Sequence, residues 1–127
     1  METLTTGLTH TSQLTVTETL TALTMGSGDM PVLATPAMIA LMENAAMTAV
    51  APALPDGDTT VGTMMDCSHD RASAVGAVIA ATATLTAVEG RKLTFSVEAK
   101  DEAGNAIGKG THTRFIVTRQ RFLAKFK

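Results

Sequence analysis

One acidic side chain, Glu43, stands in an otherwise apolar stretch, Thr35-Pro36-Ala37-Met38-Ile39-Ala40-Leu41-Met42-Glu43-Asn44-Ala45-Ala46-Met47-Thr48-Ala49-Val50. A carboxyl group among methyls and thioethers is costly to keep for stability alone, because burial favours its neutral form and raises its pKa unless a partner stabilises the charge. Its helical neighbours offer no compensating cation. Two readings are open: a narrow solvent stripe shared with Asn44, or a carboxylate held for chemistry as a general base or a nucleophile. His69 is the second candidate, suited to proton transfer near neutral pH or simply satisfied by a loop backbone.

Cys67 precedes His69 by two residues, on the same face of an expected strand. Such neighbours lie about 6.5 Å apart, too far for a Cys-His nucleophilic pair, so Cys67 reads as core. Thr35 reads as a helix N-cap with Pro36 at the first helical position. Gly62 can bring a backbone N–H close to a reacting oxygen, or can mark a bulge in its strand. His10 and His112 lack matching partners and read as surface or strand residues. Arg114, Arg119, Arg121, Lys125 and Lys127 cluster towards the C-terminus, either as a solvated face or as receivers of phosphate. No His, Cys and carboxylate grouping has metal-ligand spacing, so no metal is expected. Gly26-Ser27-Gly28 lacks the strand and remaining glycines of a dinucleotide fingerprint.

These residues need elements to hold them. The helix beginning at Thr35 is predicted to run to about Ala51, where Pro52 and Pro55 stop it, over roughly 24 Å at 1.5 Å per residue. Apolar side chains go almost all round it, which predicts a core helix rather than a lid. Strands are expected over Leu8 to Thr17, Thr60 to His69, Ala77 to Glu89, Lys92 to Lys100 and Ala106 to Thr118, with turns at Pro55-Asp56-Gly57, Glu89-Gly90-Arg91 and Asp101 to Asn105. Gly26 to Pro31 reads as loop, and Arg119 to Lys127 as a short basic helical tail. One helix followed by consecutive antiparallel strands is an α+β pattern with the sheet curled about the helix. Eight residues of helix separate Thr35 from Glu43 by about 12 Å along the axis. Either they address different parts of one substrate, or a second chain closes the gap.

The bulk composition narrows the classes. The 127 residues make one domain, 1–127, with a formal net charge of −2 that attracts neither nucleic acid nor an anionic membrane. Aromatics are only 3%, all Phe, leaving few platforms for stacking bases. No apolar run is long enough to cross a bilayer, and the lone cysteine excludes an internal disulfide framework. The N-terminus lacks the layout of a secretory signal, so a cytoplasmic, membrane-free protein is expected.

The segments Gly28-Asp29-Met30-Pro31-Val32-Leu33-Ala34-Thr35-Pro36 through Leu41-Met42-Glu43, Val61-Gly62-Thr63, Ser68-His69, Leu93 to Ala99 and Gly108-Lys109-Gly110-Thr111-His112 together resemble the fluoroacetyl-CoA thioesterase-like family. The resemblance runs from about Gly26 to Phe122. It implies a hotdog fold, a long central helix wrapped by a curved antiparallel sheet of about five strands, and hydrolysis of an acyl-CoA thioester. It implies Thr35, Glu43 and His69 as the catalytic set, and Val61, Gly62 and Thr63 as substrate-binding residues with the Gly62 backbone facing the acyl group. No cofactor is needed, since CoA is part of the substrate. Glu43 would activate water or attack the thioester carbonyl itself, and His69 would stabilise the leaving thiolate. Hotdog proteins place their sites between subunits, so a homodimer with two composite sites, or a higher oligomer built from it, is expected. Members specialised for fluoroacetyl groups carry gating aromatics before the helix. This sequence has no Phe, Tyr or Trp before Phe95, which implies a broader short-chain acyl-CoA substrate. A hotdog dehydratase or hydratase, or a non-catalytic acyl-CoA-binding module, remain the alternatives.

Overall fold

The structure, a computed structural model, describes residues 3–127. Five strands form one antiparallel sheet: β1 Thr9–Thr15, β2 Asp58–Cys67, β3 Val78–Glu89, β4 Lys92–Asp101 and β5 Ala106–Thr118, in the order β1-β3-β4-β5-β2. Three helices accompany them, α1 Ala22–Met25, α2 Thr35–Val50 and α3 Arg119–Ala124. The expected architecture of a long helix wrapped by a curled sheet is the observed one.

Period-two alternation builds the sheet's inner face. Leu93, Phe95, Val97 and Ala99 on β4 and Ile79, Ala81, Ala83 and Leu85 on β3 are buried against α2, while Ser96, Glu98 and Lys100 point outward. Alanines on both partners, Ala81 and Ala83 on β3 and Ala45, Ala46 and Ala49 on α2, belong to the same buried core and let the helix settle close to the strands. Gly90 takes a left-handed φ of 64° at the first position of the two-residue β3–β4 turn, a conformation glycine reaches without strain.

Several details differ from the sequence reading. Residues 18–25, not assigned to any element, hold a 3-10 turn at Glu18–Leu20 and the short helix α1, whose N-cap Thr21 accepts from the Thr24 N–H. Helix α2 is buried on its Ala37, Met38, Leu41, Met42, Ala45, Ala46 face, but Pro36, Ala40, Asn44 and Met47 form an exposed stripe, so it is not apolar on all sides towards protein. Strand β2 begins and ends two residues earlier than expected, and a bulge at Thr63 shifts its register against β5 by one residue.

Candidate active site

The chain before α2 is strapped on both sides. Leu33 N–H donates to the Ser73 carbonyl and Ala34 N–H to that of Leu20, with isolated bridges Thr21–Leu33 and Val32–Ala74 alongside. This delivers Thr35 to a fixed place. The N-cap is Ala34 rather than Thr35, and no side chain caps the helix. The Thr35 hydroxyl is instead engaged by His69, with Oγ1 2.7 Å from Nδ1. His69 lies past the end of β2, not on it. Ser68 N–H still donates to the Lys109 carbonyl and Asp70 N–H to that of Ile107, so β5 guides the departing chain to Thr35. The other ring nitrogen, Nε2, is shielded from solvent and has no hydrogen-bond partner. A cavity of about 260 Å³ beside this pair is lined by Val32, Leu33, Asp70 and Arg71.

Glu43 belongs to a second cluster. Helix α2 itself supplies no cation, as read from the sequence, but β5 supplies one: Arg114 Nη1 lies 3.7 Å from Glu43 Oε2. The Arg114 side chain is only 7% exposed and that of Glu43 is 42% exposed, so the carboxylate is held from beneath by a buried guanidinium and faces outward. Arg114 is anchored by Nε donating to Thr60 Oγ1 at 2.7 Å and Nη2 donating to the Thr60 carbonyl at 2.9 Å. Burial pushes its pKa down and Glu43 opposes this; at pH 7 the guanidinium is charged.

Gly62 closes over the same cluster. A Cβ there would come 2.7 Å from Glu43 Oε2 and 3.2 Å from both Arg114 Nη1 and His112 Cε1. The missing side chain thus leaves room for the carboxylate, and the bulge lies immediately next to it. His112 is not a surface residue: it is 1% exposed, with Nδ1 2.7 Å from the Met64 carbonyl and Nε2 3.2 Å from Arg114 Nη1. Burial is the main force lowering its pKa.

The structure therefore brings Thr35 to His69 and Gly62 to Glu43, but makes no hydrogen bond or ion pair between the two groups among the described residues. Val61 is half-buried opposite Phe115, and Thr63 is exposed with its hydroxyl 3.4 Å from the Thr113 carbonyl. Cys67 is half-buried against the core, and burial followed by the Asp66 carboxylate raises its thiol pKa, the wrong direction for a nucleophile. Arg114 leaves the group of expected phosphate receivers because it is buried. Both residues missed in the sequence, His112 and Arg114, sit on the inward face of β5 with Gly108, Gly110 and Ile116. That period-two run was the available signal.

The sequence profile described as FlK, fluoroacetyl-CoA-specific thioesterase, matches residues 16–120. The chain belongs to this family. It is 40% identical over 96 residues to the fluoroacetyl-CoA thioesterase of Streptantibioticus cattleyicolor, covering 76% of this chain and 68% of that protein. A solved structure of a fluoroacetyl-CoA thioesterase mutant in complex with acetyl-CoA superposes with a TM-score of 0.91 at 32% identity, over 97% of this chain and 96% of the other. A thioesterase superfamily member from Thermus thermophilus gives 0.90 at 27% identity, over 99% and 93%. Within this thioesterase family, the fold and the hydrolase class expected from the sequence are as observed. No helix among the described residues is long and apolar enough to cross a membrane.

Proposed function

We propose that this thioesterase hydrolyses short-chain acyl-CoA thioesters in the cytoplasm, at a site completed by two copies of the chain. The observation that carries the reading is the outward-facing Glu43 carboxylate, paired with buried Arg114 and given its space by Gly62. Hydrolysis forms a C–O bond from water and breaks the C–S bond, and the sulfur leaves as a thiol by acquiring a proton. Glu43 takes the proton from water, or bonds to the carbonyl carbon as a mixed anhydride that water then opens. His69, oriented by Thr35 through Nδ1, supplies the proton from Nε2 to the departing sulfur. The Gly62 backbone N–H, next to the bulge in β2, takes the role of donor to the carbonyl oxygen as charge develops on it.

Two features support completion by a partner. The 260 Å³ cavity beside Thr35 and His69 is smaller than the roughly 300–1,000 Å³ typical of small-molecule sites. Strand β2, which carries Gly62, is an edge strand, and Met64 on it and Met47 on α2 are 41% and 39% exposed. An open strand edge bordered by apolar side chains suits a second copy of the chain. The acyl reading is broad because the approach to α2 presents exposed Leu23, Met25 and Met30, flexible side chains rather than rigid aromatic gates.

Free-thiol release from acetyl-, propionyl- and fluoroacetyl-CoA tests the proposal. Release by the wild type that is lost in Glu43→Ala and in His69→Ala is the expected result. Hydration of an enoyl chain without thiol release, or tight binding without turnover, would overturn it.

A further inference from the structure

The buried imidazole of His112 has two partners whose chemistry fixes its proton. A carbonyl oxygen can only accept, so the 2.7 Å contact with Met64 places the hydrogen on Nδ1. Nε2 is then a lone pair, and the Arg114 Nη1–H donates to it at 3.2 Å. That same Nη1 faces Glu43 Oε2 at 3.7 Å. One neutral ring therefore links the Met64 carbonyl, at the bulge beside Gly62, to the guanidinium that holds the carboxylate. We propose that His112 is a positioning residue of the thioesterase site: as a neutral Nδ1–H imidazole it aligns Arg114 against Glu43 and pins the bulge that presents Gly62. This rests on the reading of Glu43 as the acting carboxylate.

The arrangement works in one protonation state. A second proton on His112 would set an N–H at Nε2 against the N–H of Arg114, two donors and two positive charges face to face. The charged groups that face the ring are Arg114 from β5 and Glu43 from α2. β2 offers the Met64 carbonyl, and β4 offers only the Phe95 ring, tilted 33° with centroids 6.2 Å apart. Burial, with Arg114 acting the same way, holds the pKa below the ordinary histidine value, while the carbonyl and Glu43 oppose the shift. Protonation of His112 therefore releases Arg114 and lets Glu43 wander before either acting group is touched.

Three variants separate the two bonds of the ring. His112→Gln offers a carbonyl oxygen near Nε2 to accept from Arg114, His112→Asn offers an amide N–H near Nδ1 to donate to Met64, and His112→Leu offers neither. Thiol release from acetyl-CoA is measured for each across pH, beside thermal unfolding and a Glu43→Gln control. Misplacing an acting group by about 1 Å can cost roughly 100-fold. His112→Leu is accordingly expected to lose kcat on that scale with KM little changed, His112→Gln to recover most of it, and the Gln variant to show a shallower loss of kcat on the acid side. In the wild type, imidazole ¹⁵N spectra are expected to show the Nδ1–H tautomer persisting below the ordinary histidine midpoint.

Folded His112→Leu with wild-type kcat, or a wild-type ring carrying its hydrogen on Nε2, overturns the proposal. If Glu43→Gln is inactive while His112→Leu is not, the positioning role falls alone. If Glu43→Gln keeps full kcat, the reading of Glu43 falls and takes this role with it.

Discussion

Gly62 is the residue on which the Glu43 cluster closes, because any Cβ there falls inside the space of the carboxylate. Gly62→Ala is expected to push Glu43 off Arg114 and lower kcat by about 100-fold. The residue itself is exposed, so the thermal midpoint should hardly move. Steady-state kinetics beside a melting curve checks both halves of that statement. Glu43, His69, Thr35 and Gly62 stood out in the sequence as candidates because a family pattern and an out-of-place acid marked them, and the structure sets Thr35 against His69 and Gly62 against Glu43. Arg114 and His112 were not, since a buried cation on a strand looks in sequence like any member of a basic run. What distinguishes Arg114 is Thr60, a residue 54 positions away whose hydroxyl and carbonyl both accept from it.

At the level of elements, the passage of β2 over β5 decides where His69 ends up. A Cβ on Gly108 would overlap the Ser68 carbonyl and come 2.9 Å from Met38 Sδ, so the two chains approach more closely there than any side chain allows. Gly108→Ala must move Ser68, and His69 with it. We expect a loss of about 1–3 kcal/mol of stability, the usual cost of overpacking, together with reduced thiol release. Denaturant unfolding beside activity tests this, and an unchanged kcat would detach His69's placement from the crossing. Helix α2 and the four strands after it were readable because their alternation and their Pro and Gly stops are local. The helix α1 was not, since its four residues are too few to show a period. The bulge in β2 was not readable either, because it depends on the pairing partner and leaves only Gly62 as a trace in the sequence.

For the molecule as a whole, His112 links folding to pH. Its folded pKa lies below the ordinary 6.5, so as pH falls through that value the unfolded chain takes up a proton that the folded chain resists. Stability is undiminished above about 6.5 and should decline on acidification towards the folded pKa, by at most about 1.4 kcal/mol per pH unit from this group. Chemical denaturation at a series of pH values should show that slope, and His112→Gln should flatten it. The open edge at β2 has a different consequence, one of mass action. On the proposed joining of two copies at this edge, a copy that lacks a neighbour leaves that strand's outer amides to water, so they should exchange their hydrogens faster in scarce protein than in plentiful protein. Catalytic turnover per chain should decline in step as the enzyme is diluted, and an assay that holds its rate per molecule down to trace concentrations would describe a protein that works alone.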